Sequence, residues 1–140
     1  MQISFFGHAD FSCSLELKNR LITLLTNIAN NCDSKLEFFF GEYGAFDSFA
    51  YDCCKKINFS NAKFTYVLPY LTTKPIKQYN EIVYPPLENV PKRLAIIKRN
   101  EWIVNNSDLI IFYVNRNFGG AYRTFEYAKR KNKAIYNLAQ

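Results

Sequence analysis

Four times along this chain a short apolar run gives way to a turn and then to apolar residues at helical spacing, and few folds accept that alternation. Residues 2–6 form the first run, followed by a helix capped at Ser12 or a neighbour, with Leu17, Leu21, Leu24 or Leu25, and Ile28 on one face. Residues 36–40 form the second and lead through Gly41-Glu42-Tyr43-Gly44 to a helix carrying Phe46, Phe49, Ala50, Cys53 and Ile57. The third, residues 63–68, stops at Pro69 and opens a long irregular connection through Pro75, Tyr84, Pro85 and Pro86. Asn89 then caps a third helix with Pro91 in its first turn, ending near Asn106. Residues 108–114 deliver the Gly119-Gly120 pair and a fourth helix, and residues 134–137 supply a fifth strand.

Strands that alternate with helices are joined by right-handed crossovers, which predicts an α/β fold with a mainly parallel five-stranded sheet and helices on both faces. Ligands of such sheets bind at the carboxyl ends of the strands, near the point where the strand order reverses. The turns after the first, second and fourth strands carry Gly7 and His8, Gly41 to Gly44, and Gly119-Gly120, so all three are candidates for one crevice. A glycine pair at a helix start leaves backbone N–H groups aimed at one point, which suits phosphate; glycine pairs also serve as plain tight turns. Neither turn is a G-x-G-x-x-G fingerprint, and no P-loop lysine follows, so a dinucleotide dehydrogenase or P-loop NTPase is not supported.

At 140 residues the chain is expected to form one domain, 1–140, with a core that needs no metal or disulfide. A hydrophobic content of 49% with 21% charged residues excludes a disordered chain. The four cysteines, Cys13, Cys32, Cys53 and Cys54, include no C-x-x-C pair and His8 is the sole histidine, so no metal site is expected and the thiols read as reduced and mostly buried. No cofactor is expected. The start lacks a signal-peptide pattern and no apolar run is long enough for a span, so a cytoplasmic protein without membrane contact is expected. A net charge of +6 favours an anionic partner without choosing which.

Two sets of residues carry a family resemblance. Arg99 followed by Ser107-Asp108 and an apolar strand, then Gly119-Gly120 with Glu126, resembles the LOG-like phosphoribohydrolases and their P-G-G-x-G-T-x-x-E motif. Phe118, Tyr122 and Arg123 stand where that motif has proline, its third glycine and threonine. The segments Phe5-Phe6-Gly7-His8, Gly41 to Asp47, Val67 to Tyr70, Tyr84 to Glu88 and Phe118 to Ala128 are similar to the YpsA-related branch of the SLOG superfamily, which includes DprA. Glu42 replaces a glycine common there, and Ala9 a basic residue. This resemblance implies a Rossmann-like domain, a homo-oligomer, and a nucleotide-derived ligand, either NAD- or ADP-ribose-like or a nucleoside monophosphate, held for sensing or sequestration.

By the same resemblance the ligand-binding residues are Gly7, His8, Gly41, Gly44, Arg99, Gly119, Gly120, Arg123 and Glu126. The alternative it implies is an N-glycosidase that cleaves the base–ribose bond of a nucleoside monophosphate. In that case Arg99 binds the 5′-phosphate, and Glu126 holds the ribose or stabilises the cationic sugar. Without chemistry, Glu126 reads as a surface partner of Arg130, and Asp47 reads as a first-turn carboxylate on the helix dipole. Tyr43, Tyr84, Phe118 and Tyr122 read as packing or as base-stacking residues, and Arg116 flanks the glycine pair. Single-strand nucleic-acid binding is the less favoured third reading, since no contiguous basic stripe supports it.

Overall fold

The computed structural model describes residues 1–140. Its strands are β1 (Gln2–Gly7), β2 (Leu36–Phe40), β3 (Ala62–Val67), β4 (Glu81–Val83), β5 (Leu109–Tyr113) and β6 (Ala134–Asn137). Its helices are α1 (Leu15–Asn30), α2 (Ala45–Lys55), α3 (Ala95–Asn105) and α4 (Gly120–Arg130). All strand pairings are parallel, in the order β4-β3-β2-β1-β5-β6. The chain therefore leaves β1 on one side and returns on the other, and the order reverses between β1 and β5. There Gly7 pairs with Tyr113 at the carboxyl ends.

Strand alternation decides which helix covers which face. Ile3, Phe5, Phe38, Phe40 and Ile111 point into a core shared with Leu21 and Leu25 of α1 and Phe46, Ala50 and Cys54 of α2. Phe6, Phe39, Ile110 and Phe112 point the other way, onto Ile103 and Val104 of α3 and Ala128 of α4. Two helices thus lie on each face. Cys53 and Cys54 are buried, which pushes both thiols up, whereas Cys32 is half-buried and Cys13 exposed. No helix is long and apolar enough to cross a membrane.

The sheet has six strands, not the five expected. The extra strand, β4, lies inside the connection read as irregular. It is three residues long, Ile82 is 52% exposed, and only β3 pairs with it, so no hydrophobic alternation betrays it. Side-chain clamping compensates for its length: Asn80 accepts from Phe64 N at 2.7 Å through Oδ1 and donates its own N–H to Phe64 O at 2.8 Å.

The third helix also starts later than the sequence suggests. Buried Leu87 draws the chain inward, Val90 N closes a turn onto Leu87 O at 3.0 Å, and Pro91 is extended at ψ 137. A single 3-10 turn, Lys92–Leu94, then leads into α3, and Asn89 caps nothing. At α1 the cap is Ser14, whose hydroxyl accepts from Leu17 N at 3.2 Å.

Candidate functional site

A cavity of about 490 Å³ opens at the carboxyl ends of β1, β2 and β5. Among the residues expected at a site, Gly7, His8, Gly41, Arg99, Gly119, Gly120 and Arg123 line it. Gly44 and Glu126 do not. Glu126 is one-third exposed and pairs with Lys129 Nζ at 3.0 Å, rather than with Arg130. Asp108 lies at the opposite end of the sheet, where its Oδ2 accepts from Gln2 N at 2.8 Å.

The two glycine-started helices look alike and behave differently. Gly44 and Gly119 cap α2 and α4 with nearly identical backbones, φ 97 and ψ −174 against φ 92 and ψ 176, a region that glycine alone occupies readily. Neither cap has a side chain to offer, so the first N–H groups of each helix need other partners.

At α2 the protein supplies one of them, while Phe46 N and Asp47 N have no partner in the chain. Ala45 N donates to Ala9 O at 3.0 Å, and Asp47 reaches back so that its Oδ2 accepts from Tyr43 N at 2.7 Å. At α4 the N–H groups of Gly120, Ala121 and Tyr122 find no partner in the chain, and a Cβ built on Gly119 or Gly120 would meet nothing within 4 Å. The two starts therefore differ in the space before them: at Gly44 a Cβ would lie 2.5 Å from Ala9 Cα, whereas the space before α4 is open and all three of its first N–H groups are free.

Glu42 does not face the cavity. At φ 53 it turns its carboxylate outward, where it accepts from Ile76 N and Lys77 N at 2.9 Å each and from Tyr79 Oη at 2.7 Å. This carboxylate anchors the loop before β4 and is held away from the cavity. Glu42→Ala is expected to cost about 2–3 kcal/mol, in the range of hydrogen bonds to charged groups. Urea unfolding reads that loss.

Three nearly buried ionisable side chains line the cavity. Arg99, 1% exposed, donates through Nη1 to Val67 O at 2.8 Å and Gly41 O at 3.3 Å, and through Nε to Asn100 Oδ1 at 2.9 Å. Its Nη2 makes no hydrogen bond. Burial lowers its pKa from the usual arginine range and the charge of Asp47 opposes this. Gly41 must lack a side chain, since a Cβ there would lie 2.8 Å from Arg99 Cζ.

Asp47, 7% exposed, is raised to about 7, chiefly by burial, with its Tyr43 N–H bond and Arg99 pulling down. His8, 4% exposed, accepts from Asn115 N through Nε2 at 3.1 Å and so ties the β1 turn to the β5 turn. Burial first, and then Arg116, lowers its pKa, which keeps the ring neutral as the acceptor role requires.

Charge at the rim is mainly positive, and the lining carboxylate Glu101 is paired with Lys98 at 3.2 Å. Arg116 is forked onto Asp10 at 3.0 and 3.2 Å and lies over the Phe118 ring at 4.9 Å. Arg123, one turn into α4, makes no ion pair, and Arg130 meets only the Tyr127 ring, at 5.8 Å. Of the aromatic candidates Tyr43 lines the cavity, 58% exposed, while Tyr84, Phe118 and Tyr122 do not.

Sequence reasoning missed Ile96, Ile97, Thr124 and Tyr127, which also line the cavity. Helical spacing from Arg99 and Gly120 could have found them: 96 and 99–100 share one face of α3, and 120, 123–124 and 127 one face of α4.

No protein-family model and no curated protein sequence matches the chain. Among solved structures it is similar to DNA processing protein A from Helicobacter pylori, described for its single-stranded DNA binding mode, with TM-score 0.65 and 15% identity over 96% of this chain and 63% of that one. It is similar to DprA from Streptococcus pneumoniae, with TM-score 0.66 and 14% identity over 96% and 48%. The protein TM1055 gives TM-score 0.63 and 13% identity over 96% and 71%. The chain shares their Rossmann-like fold. It spans about half to two thirds of the DprA chains, and identities this low carry the fold and not the activity.

Proposed function

We propose that the cavity binds a nucleotide or nucleotide-derived anion, with a phosphate at the start of α4, for sensing or sequestration. The observation that carries this reading is the α4 N-terminus: unpartnered N–H groups, a glycine cap with empty space before it, and unpaired Arg123 one turn away. Helix dipole, free donors and guanidinium all favour the same charge at the same point. Ile96 and Ile97 give an apolar wall suited to a base or ribose face, and Tyr43 at the mouth is free to stack.

Calorimetric titration with AMP, NAD and ADP-ribose tests this reading. At least one is expected to bind, and Arg123→Ala to weaken it about tenfold, the worth of one charge-assisted contact. No binding of any of the three overturns it. Chromatography of the same mixtures tests N-glycosidic cleavage: released base would favour the hydrolase. Glu126, the carboxylate its resemblance nominates, points at Lys129, so cleavage would need that side chain to turn.

A second reading, single-stranded nucleic acid, draws support from the DprA likeness and the arginines at the rim. Oligonucleotide binding whose affinity falls steeply with salt, and that survives Arg123→Ala, would favour it over the small-molecule site.

A further inference from the structure

Asp47 sits in the cavity in a way that the dipole role of a first-turn carboxylate does not explain. It projects from the third position of α2, 7% exposed, and only its Oδ2 is bonded, to Tyr43 N. Oδ1 has no hydrogen-bond partner in the chain and is not sealed from the cavity. Arg99 faces the same space with Nη2 unspent although the residue is 1% exposed. A buried acid and a buried guanidinium that each leave one polar atom unpaired, both lining a single cavity, form a recognition pair for something absent from the chain.

Resting on the nucleotide-binding reading above, we propose that Asp47 contacts the ligand as a protonated carboxyl through Oδ1, selecting a hydrogen-bond acceptor at that point and coupling its binding to uptake of one proton. An ionised carboxylate there would repel a phosphate or carbonyl oxygen, whereas a carboxylic acid donates to it.

The groups around Asp47 fit this role. Arg99 on α3 opposes protonation; Glu42 in the turn favours it, and Tyr66 on β3 and Tyr79 before β4 are neutral neighbours. Across the cavity stand neutral His8 after β1; Arg116 after β5, already engaged by Asp10; Glu101 of α3, paired with Lys98 at 3.2 Å; and Arg123 and Arg130 of α4. The net result, a carboxyl raised to about 7, leaves it half-protonated near neutrality in the free protein. An incoming anion would raise it further. The proton comes from solvent and no covalent bond changes.

NAD and ADP-ribose are the probes, because their diphosphate oxygens remain ionised throughout the working range and cannot themselves supply the pH dependence. Calorimetry from about pH 5.5 to about pH 8.5, in buffers of different ionisation enthalpy, should show constant affinity at the acid end. Above about pH 7 the affinity should fall by up to roughly tenfold per unit, with proton uptake rising from near zero toward one. Asp47→Asn, which keeps an acceptor for Tyr43 N and a donor for the ligand, should bind with a flat pH profile and no uptake.

Affinity and proton count that do not change with pH overturn the proposal. So does a variant that keeps the wild-type slope, which would move the proton to His8. If neither probe nor AMP binds at any pH, the binding reading fails and this inference fails with it; binding of AMP without either probe, or binding without proton uptake, removes the inference alone.

Discussion

Replacing Arg99 with methionine is expected to remove about 3–5 kcal/mol of folding stability, because three acceptors lose a charged donor at about 1–3 kcal/mol each. The methionine can fill much of the volume, so the loss comes from polar groups. Val67 O, which is buried, and Gly41 O and Asn100 Oδ1, which are part-buried, each lose a donor. Asp47 loses the positive charge that partly offsets its burial, and its carboxyl, already raised to about 7, moves higher.

That shift makes the loss depend on pH. At about pH 5 Asp47 is protonated in both proteins and only the donors are missed; at about pH 8 it is ionised in the wild type, where Arg99 stabilises it, so the variant loses more. Urea unfolding at the two pH values, with an unchanged slope, checks both magnitude and sign. A loss under about 1 kcal/mol, equal at both pH values, would mean that Arg99 holds nothing together.

The strand-turn-helix rhythm is legible in the sequence because the central strands are buried on both sides and read as apolar runs, as in residues 36–40 and 109–113. β4 is not legible, since an edge of three residues with Glu81 and Ile82 exposed has no pattern to show. At the site, spacing points to the glycine turns but is silent about direction. Nothing in Gly41-Glu42-Tyr43-Gly44 reveals that Glu42 takes φ 53 and faces the loop at residues 76–79, because its partners lie 34 to 37 positions away.

Asp47 shows the same blindness from the other side. A carboxylate in the first turn of a helix suffices to explain itself by the dipole, and only burial against α3 shows that it sits in the cavity beside Arg99. Local chemistry is readable from neighbours in sequence; the pairing of charges across helices is a property of the packed fold.

The matching glycine caps share one backbone geometry but differ in what lies before them. Gly44→Ala is expected to cost about 3 kcal/mol or more, because two penalties combine. Its φ of 97 is strained for any residue with a Cβ, worth about 1–3 kcal/mol. The new Cβ would also lie 2.5 Å from Ala9 Cα, a backbone atom that can yield only by pulling the β1 turn away. That movement would stretch the Ala45 N to Ala9 O bond that closes the α2 start.

Gly119→Ala carries the first penalty alone, since nothing lies within 4 Å of its Cβ, so about 1–3 kcal/mol is expected. Thermal unfolding of the two variants should therefore rank them clearly, with Gly44→Ala the less stable. Ligand affinity, measured well below either midpoint, should rank them in reverse: the Gly119 change puts a methyl group into the space before the free α4 donors and weakens anion binding. The Gly44 change, wherever the protein remains folded, leaves those donors untouched. Equal loss of affinity in both variants would mean that the anion sits between the two helix starts rather than on α4.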